Sequence, residues 1–270
     1  MIRQNLHTHT LFDDGKNTPA EMAEAALRAG FSSLGFSGHS PLPYPNDWAI
    51  PQERLSAFRA AVAEAKAAFA GRLTIYTGLE WDVLSDPDAA GYDYIIGSIH
   101  HIDLGGETPS VDEAPAVTRS LLDRHFGGDA DALAESYFSQ YSAIADAPFV
   151  DIVGHFDLLT KFDEKHGFFD ETAPRFRDAA MAAMELLLRA GKLFEVNTGA
   201  IARGLRTTPY PSRSLLAELR ARGGRVVVSS DAHSADAIAC AFPEAEALLR
   251  ELGFRERWEL TDRGFAPIAL

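Results

Sequence analysis

GGRVVVSSDAH, residues 223–233, holds the organisation of the whole chain in one short run: glycine closes a helix, β-branched residues make a strand, and an aspartate and a histidine follow directly. An unbroken apolar stretch such as Val226 to Val228 suits a parallel sheet buried on both faces. Outward from this segment the same unit recurs. Helical stretches at 52–70, 172–190, 212–222 and 235–252 each stop before a glycine and lead into an extended run. The first helix has an explicit start, since Thr18 can cap it, Pro19 suits its first position and Glu21 completes a capping box. Met22, Ala25, Ala26 and Ala29 then supply an apolar face before Gly30. Extended runs rich in β-branched or aromatic residues fall at 4–6, 33–37, 74–78, 94–98, 150–154, 193–196 and 226–229. Seven strands alternating with helices predict an α/β fold: a distorted (β/α)7 barrel, TIM-barrel-like, forming one domain over 1–270, with a doubly wound open sheet as the alternative. The stretch 102–147 reads as an insertion over the active-site mouth, with a helix near 130–145.

Composition narrows the function classes. With 46% hydrophobic residues the chain can bury a complete core, yet no apolar run approaches the roughly 18 residues of a membrane span. The start MIRQNLHTHT lacks the apolar run of a signal peptide, so a cytoplasmic location is expected. A single cysteine, Cys240, excludes an internal disulfide and a thiolate cluster, which leaves nitrogen and oxygen as metal donors. The net charge of −14 argues against nucleic acid as a partner, and bound cations would cancel part of it. No obligate protein partner is evident.

The informative feature is where the polar side chains fall. His7 and His9 follow strand one, His39 strand two, Glu80 strand three, His100 strand four, His155 strand five, and Asp231 and His233 strand seven. In a parallel barrel the C-terminal strand ends share one face, so these residues should meet. His-x-His and Asp-x-His on extended backbone place both side chains on one side, where they can chelate. Asp14, in the loop Phe12 to Gly15, joins the candidates, although Asp-Gly is also a turn signal. Nine candidate ligands exceed the needs of one ion and predict two or three divalent metals, with zinc, iron or manganese suited to such donors. His101 should point away from His100, toward packing or substrate. His125 and His166 read as surface residues, His166 being able to reach substrate if its loop folds over the mouth. Clustered cations imply an oxyanionic substrate and a metal-activated water, and phosphomonoester hydrolysis fits best. Arg203 and Arg206 after strand six and Lys161 after strand five are candidate phosphate clamps, and Asn197 could orient a ligand. All four are also readable as ordinary loop residues.

HTHT at 7–10, GHS at 38–40, GLE at 78–80, GSIHH at 97–101, GHFDLLTKF at 154–162, EVNTGA at 195–200 and SSDAH at 229–233 together resemble the PHP superfamily, named for polymerase and histidinol phosphatase. They look like its histidinol-phosphate phosphatases. The resemblance implies a trinuclear site in a distorted (β/α)7 barrel. One metal would take His7, His9, Glu80 and Asp231, a second Glu80, His100 and His155, and a third Asp14, His39 and His233. Many members have histidine where Asp14 stands. Asp231, His233 and Arg203 would then be catalytic, and L-histidinol phosphate would be cleaved to L-histidinol and phosphate in histidine biosynthesis. Its amine and imidazole would suit Asp157 and the aromatic Tyr137 or Phe138 if these reach the mouth, although both aromatics could be core. The alternatives are another small phosphomonoester or a nucleotide, a degenerate PHP scaffold, or an amidohydrolase-type barrel. Glu80 on strand three and the Asp231-x-His233 pair favour PHP over the last.

Overall fold

In the computed structural model, which describes residues 1–86 and 90–270, the first helix begins as its cap predicts. The Glu21 N–H donates to Thr18 Oγ1, and the Thr18 N–H donates to the Glu21 carboxylate at 2.8 Å. In chain order the elements are β1 (Gln4–Asn5), α1 (Pro19–Arg28), β2 (Ser33–Phe36), α2 (Leu55–Ala68), β3 (Thr74–Asp82), β4 (Tyr94–Ser98) and α3 (Pro115–Phe126). There follow α4 (Ala130–Ser139), α5 (Tyr141–Asp146), β5 (Ile152–Val153), α6 (Asp163–His166), α7 (Pro174–Arg189), β6 (Leu193–Asn197) and α8 (Gly199–Ala202). The chain ends with α9 (Arg213–Ala221), β7 (Val226–Ser229), α10 (Phe242–Glu251), β8 (Glu256–Thr261) and β9 (Gly264–Ala269).

Strands β1 to β7 lie side by side in sequence order and every pairing is parallel. A doubly wound sheet would reverse its strand order at a switch point, and none is present. The last strand instead returns to the first. His9 N donates to Ala232 O at 2.9 Å and Ala232 N to His7 O at 3.1 Å, so the sheet is a nearly closed barrel.

Period-two alternation stacks side chains inside it. Leu6, Tyr94, Ile96, Ile152, Leu193 and Val227 form a buried interior layer with Leu260. Gly78 is required by that layer, because a Cβ there would lie 2.3 Å from the Tyr94 ring. The hairpin of β8 and β9, which the sequence reading left unassigned, closes the barrel floor: Gln4 clasps Leu260 through Nε2 to O at 2.9 Å and N to Oε1 at 2.8 Å. Of its twelve strand residues only Arg257 and Leu260 are buried, so it carries no apolar run for a search of the sequence to find.

The stretch 102–147 holds three helices, and the expected helix near 130–145 divides into α4 and α5 at Gln140. Tyr137 and Phe138 turn inward, packing with Tyr141, Phe156 and Phe176, so they belong to the core and not to the mouth. Among the described residues, no helix is long and apolar enough to cross a membrane.

Candidate metal centre and cleft

The open end of the barrel gathers the nine side chains singled out from sequence. Glu80 stands at their centre, inside β3 and facing the interior as Gly78 does, two residues before it, and not in a loop after the strand. Its Oε2 lies 2.8 Å from His39 Nδ1 and 3.1 Å from His7 Nε2, and its Oε1 lies 2.9 Å from His155 Nε2 and 3.4 Å from His100 Nε2. Asp231 Oδ1 is 3.1 Å from His9 Nε2, and Asp14 Oδ2 is 3.1 Å from His233 Nε2. Donor atoms of His9, Asp14, His39 and His233 lie within 4.8 Å of one another, as do those of His7, His9 and Glu80, and of His39, Glu80 and His100.

These residues fit a metal cluster. His7 Nε2, His9 Nε2, His39 Nδ1 and Glu80 Oε2 are buried and make no hydrogen bond within the protein, a costly state for polar atoms unless an ion uses their lone pairs. The electrostatics agree. Burial disfavours a charged His7, yet Glu195, Glu80 and Asp231 raise its pKa well above the ordinary value. Against the same desolvation, Asp13, Asp231 and Asp14 carry His9 up to about 10, and Glu80 and Asp82 raise His100. Burial also opposes charge on Glu80 and Asp231, but the histidines, and for Asp231 first Arg203, hold both well below the carboxylate range. The carboxylates thus create a field that favours positive charge at this point, from protons or from metal ions.

Three carboxylates that sequence reasoning missed orient the imidazoles from behind. His7 Nδ1 meets Glu195 Oε1 at 2.6 Å, His9 Nδ1 meets Asp13 Oδ2 at 2.7 Å, and His100 Nδ1 meets Asp82 Oδ2 at 3.0 Å. Such partners fix the ring and its tautomer, leaving the far nitrogen free to ligate. Glu195 also accepts from Ser229 Oγ, from His155 N at 2.8 Å and from Asn197 Nδ2 at 2.9 Å. A signal existed: an acid inside the buried apolar strand Leu193–Asn197 has no reason to be there without partners. Asp231 itself adopts φ 46°, a left-handed conformation uncommon outside glycine, which turns its carboxylate over the cluster. Gly199 makes room for it, because a Cβ there would lie 2.8 Å from Asp231 Oδ2.

Above the cluster opens a cleft of about 550 Å³. Arg203, Lys161 and His101 line it, together with Tyr44, Trp48, Ser110, Asp112 and Glu113. Arg203 holds Asp231 Oδ2 at 3.1 Å and its other terminal nitrogen lies 3.2 Å from His233 Nδ1. His101 shares the cleft with His100, its ring stacked on Trp48 and its Nε2 3.1 Å from Tyr44 Oη. Arg206 and Asn197 are placed elsewhere. The Arg206 guanidinium is buried against Thr160 and over the Tyr210 ring, 4.6 Å from its centroid, so it braces the loops after β5 and β6 and does not face the cleft. Asn197 is buried between Glu195 and the Gly199 N–H. Asp157 is not at the mouth either: it is fully buried, accepts from Ser212 N at 2.9 Å, and burial pushes its pKa up to about 6 in spite of Arg206. His125 faces Glu107 at 3.5 Å and His166 stacks on Phe168, both away from the cleft.

A model of the PHP domain matches residues 5–199. The chain belongs to the PHP domain family. The matched stretch ends before Asp231 and His233, which barrel closure brings beside the PHP motif at His7 and His9. A Deinococcus radiodurans relative named "Probable histidinol-phosphatase" is 30% identical over 260 residues, covering 92% of this chain and 93% of that protein. The Bacillus subtilis protein named "Histidinol-phosphatase" is 26% identical over 265 residues, covering 90% of this chain and 97% of its own. Among solved structures, the Lactococcus lactis histidinol phosphate phosphatase complexed with zinc, L-histidinol and phosphate shares the fold at TM-score 0.76 and 18% identity, covering 98% of each chain.

Proposed function

We propose that this PHP domain is a metal-dependent phosphomonoesterase that hydrolyses L-histidinol phosphate to L-histidinol and phosphate, in the cytoplasm and as part of histidine biosynthesis. The observation that carries the reading is the set of buried ligand atoms of His7, His9, His39 and Glu80 that make no hydrogen bond and are turned toward one another beneath a cleft that also presents Arg203 and Lys161. The likeness in sequence to proteins named for this activity, over nearly the full length of both chains, supplies the substrate.

Two or three divalent ions, zinc, iron or manganese, would be held as one by His7, His9, Glu80 and Asp231, one by Glu80, His100 and His155, and one by Asp14, His39 and His233. Their chemistry is to lower the pKa of a water molecule and to neutralise charge on the phosphoryl group. The chain's own residues do the rest. Glu195, Asp13 and Asp82 keep three imidazoles in the ligating tautomer. Arg203 projects its planar fork beside Asp231 and His233, where it can take phosphate oxygens as charge develops on them. Asp231, which lies between Arg203 and the histidines, would take the proton of the attacking water and return it to the leaving alkoxide, and His233 links it to Asp14. Lys161 adds a second cation to the cleft wall, and the rings of Tyr44, Trp48 and His101 give the imidazole of the substrate an aromatic surface.

The test is metal analysis of the purified protein followed by a panel of phosphomonoesters after loading with manganese, zinc or iron. The highest kcat/KM is expected for L-histidinol phosphate. A nucleoside monophosphate or sugar phosphate turned over tenfold more efficiently would refute the substrate and leave only the phosphoesterase class.

A further inference from the structure

Lys161 and Asp112 form an ion pair on the cleft wall that the metal cluster does not use. Lys161 follows the short helical turn Leu158–Thr160, Asp112 comes from the loop preceding α3, and Nζ lies 2.8 Å from Oδ2. Both line the cleft, and their side chains keep only 15% and 19% of their surface exposed. Ser110 Oγ meets Asp112 Oδ1 at 3.2 Å, which fixes the carboxylate's orientation. Burial opposes its charge, but Lys161, with His100 and His155 farther in, keeps the carboxyl ionised, below the usual range. Removing one partner from a half-buried pair of this kind leaves a charge alone and costs more than the pair contributes.

Resting on the phosphomonoesterase reading of the cleft, we infer that Asp112 selects substrates with an ammonium group on the carbon next to the ester-bearing one, receiving that ammonium while its partner Lys161 turns to the phosphate. The pair presents a cation and an anion side by side. A vicinal amino-alcohol phosphate presents the same two charges in the opposite order, so two ion pairs replace one and no charge is stranded. An ester without the amine draws Lys161 toward its phosphate and leaves Asp112 unpaired, which disfavours it without any steric exclusion. Selection against the wrong substrate therefore comes from the same carboxylate that binds the right one. Glu113, next in the chain, is exposed at the rim and lacks this pairing.

The experiment compares metal-loaded wild type and Asp112→Asn on two pairs of esters, L-histidinol phosphate against 3-(imidazol-4-yl)propyl phosphate, and phosphoethanolamine against ethyl phosphate. Calorimetry of L-histidinol and of its amine-free alcohol gives a readout independent of turnover. Asp112→Asn should cut the preference for the amine-bearing ester about tenfold to a hundredfold in each pair, hold the amine-free esters level or raise them, and weaken L-histidinol binding while sparing the alcohol. Glu107→Gln, exposed and outside the cleft lining, should leave all ratios unchanged. Equal loss on both members of a pair, or ratios within twofold of wild type, overturns the inference. If wild type ignores L-histidinol phosphate while its preference for phosphoethanolamine over ethyl phosphate still depends on Asp112, the substrate reading falls and this inference stands.

Discussion

Glu195→Gln is the most discriminating perturbation of the metal centre, because Glu195 touches no position assigned to substrate yet joins several elements. Its two oxygens accept from His7 Nδ1, Ser229 Oγ, His155 N and Asn197 Nδ2, and its side chain is fully buried. Glutamine keeps the shape but offers one oxygen and one NH2: with the NH2 toward His155 N and Asn197 Nδ2 two donors face another donor, whereas toward Ser229 and His7 the hydroxyl can turn to accept but His7 must give up the tautomer that leaves Nε2 free. In the first case two buried donors lose their acceptor at about 1–3 kcal/mol each. The destabilisation is therefore about 2–6 kcal/mol, an upper range if the loop after β6 relaxes. On the metal, loss of the carboxylate behind His7 removes the anchor for its tautomer, for which about a tenfold to hundredfold fall in affinity is typical. Competition of the folded variant against a chelator, read by metal analysis, measures this directly, with thermal unfolding followed in parallel. Activity should return toward wild type at high metal concentration. Unchanged metal affinity in a folded Glu195→Gln protein would refute the argument that the carboxylate behind His7 tunes the centre.

The other outcomes concern the cluster and the phosphate. His9→Ala and Glu80→Ala should each abolish turnover and lower metal content while far-ultraviolet circular dichroism keeps the barrel signature, and normal stoichiometry would remove that residue from the cluster. Arg203→Ala should cost about 2–4 kcal/mol of transition-state stabilisation, about a hundredfold or more in rate, with metal content kept; a variant within twofold of wild type would make it a plain loop charge. The metal-free protein should lose stability as pH rises. His9 has its pKa raised to about 10 from 6.5, so the stabilisation from its protonated form is complete below about pH 6.5 and is lost on the way to pH 10. Metal-loaded protein should lack this decline, since ions replace the protons between the same carboxylates, and superimposable melting profiles with and without metal would contradict it.

The sequence by itself determined the alternation of strand and helix, the seven parallel strands, and the gathering of His7, His9, His39, Glu80, His100, His155, Asp231 and His233 at one end. The physical reason is local: parallel strands that alternate with helices have their C-terminal ends on one face, so a position at or just past the end of a strand is a position in the site. Direction and partners were settled only by tertiary structure. Arg203 and Arg206 lie three residues apart in one loop, yet the first reaches Asp231 and the second is buried under Thr160, a difference no spacing encodes. Tyr137 and Phe138 became core because α4 packs against the barrel's outer helices, while Tyr44 and Trp48 became the cleft's aromatic wall through a loop without regular pattern. Glu195, Asp13 and Asp82 gained their roles from histidines that reach them across the barrel or a tight loop, and the pairing of Lys161 with Asp112 spans 49 positions. Long-range contacts of this kind depend on which way each side chain turns once the barrel has closed, and closure itself rests on β7 meeting β1 from opposite ends of the chain.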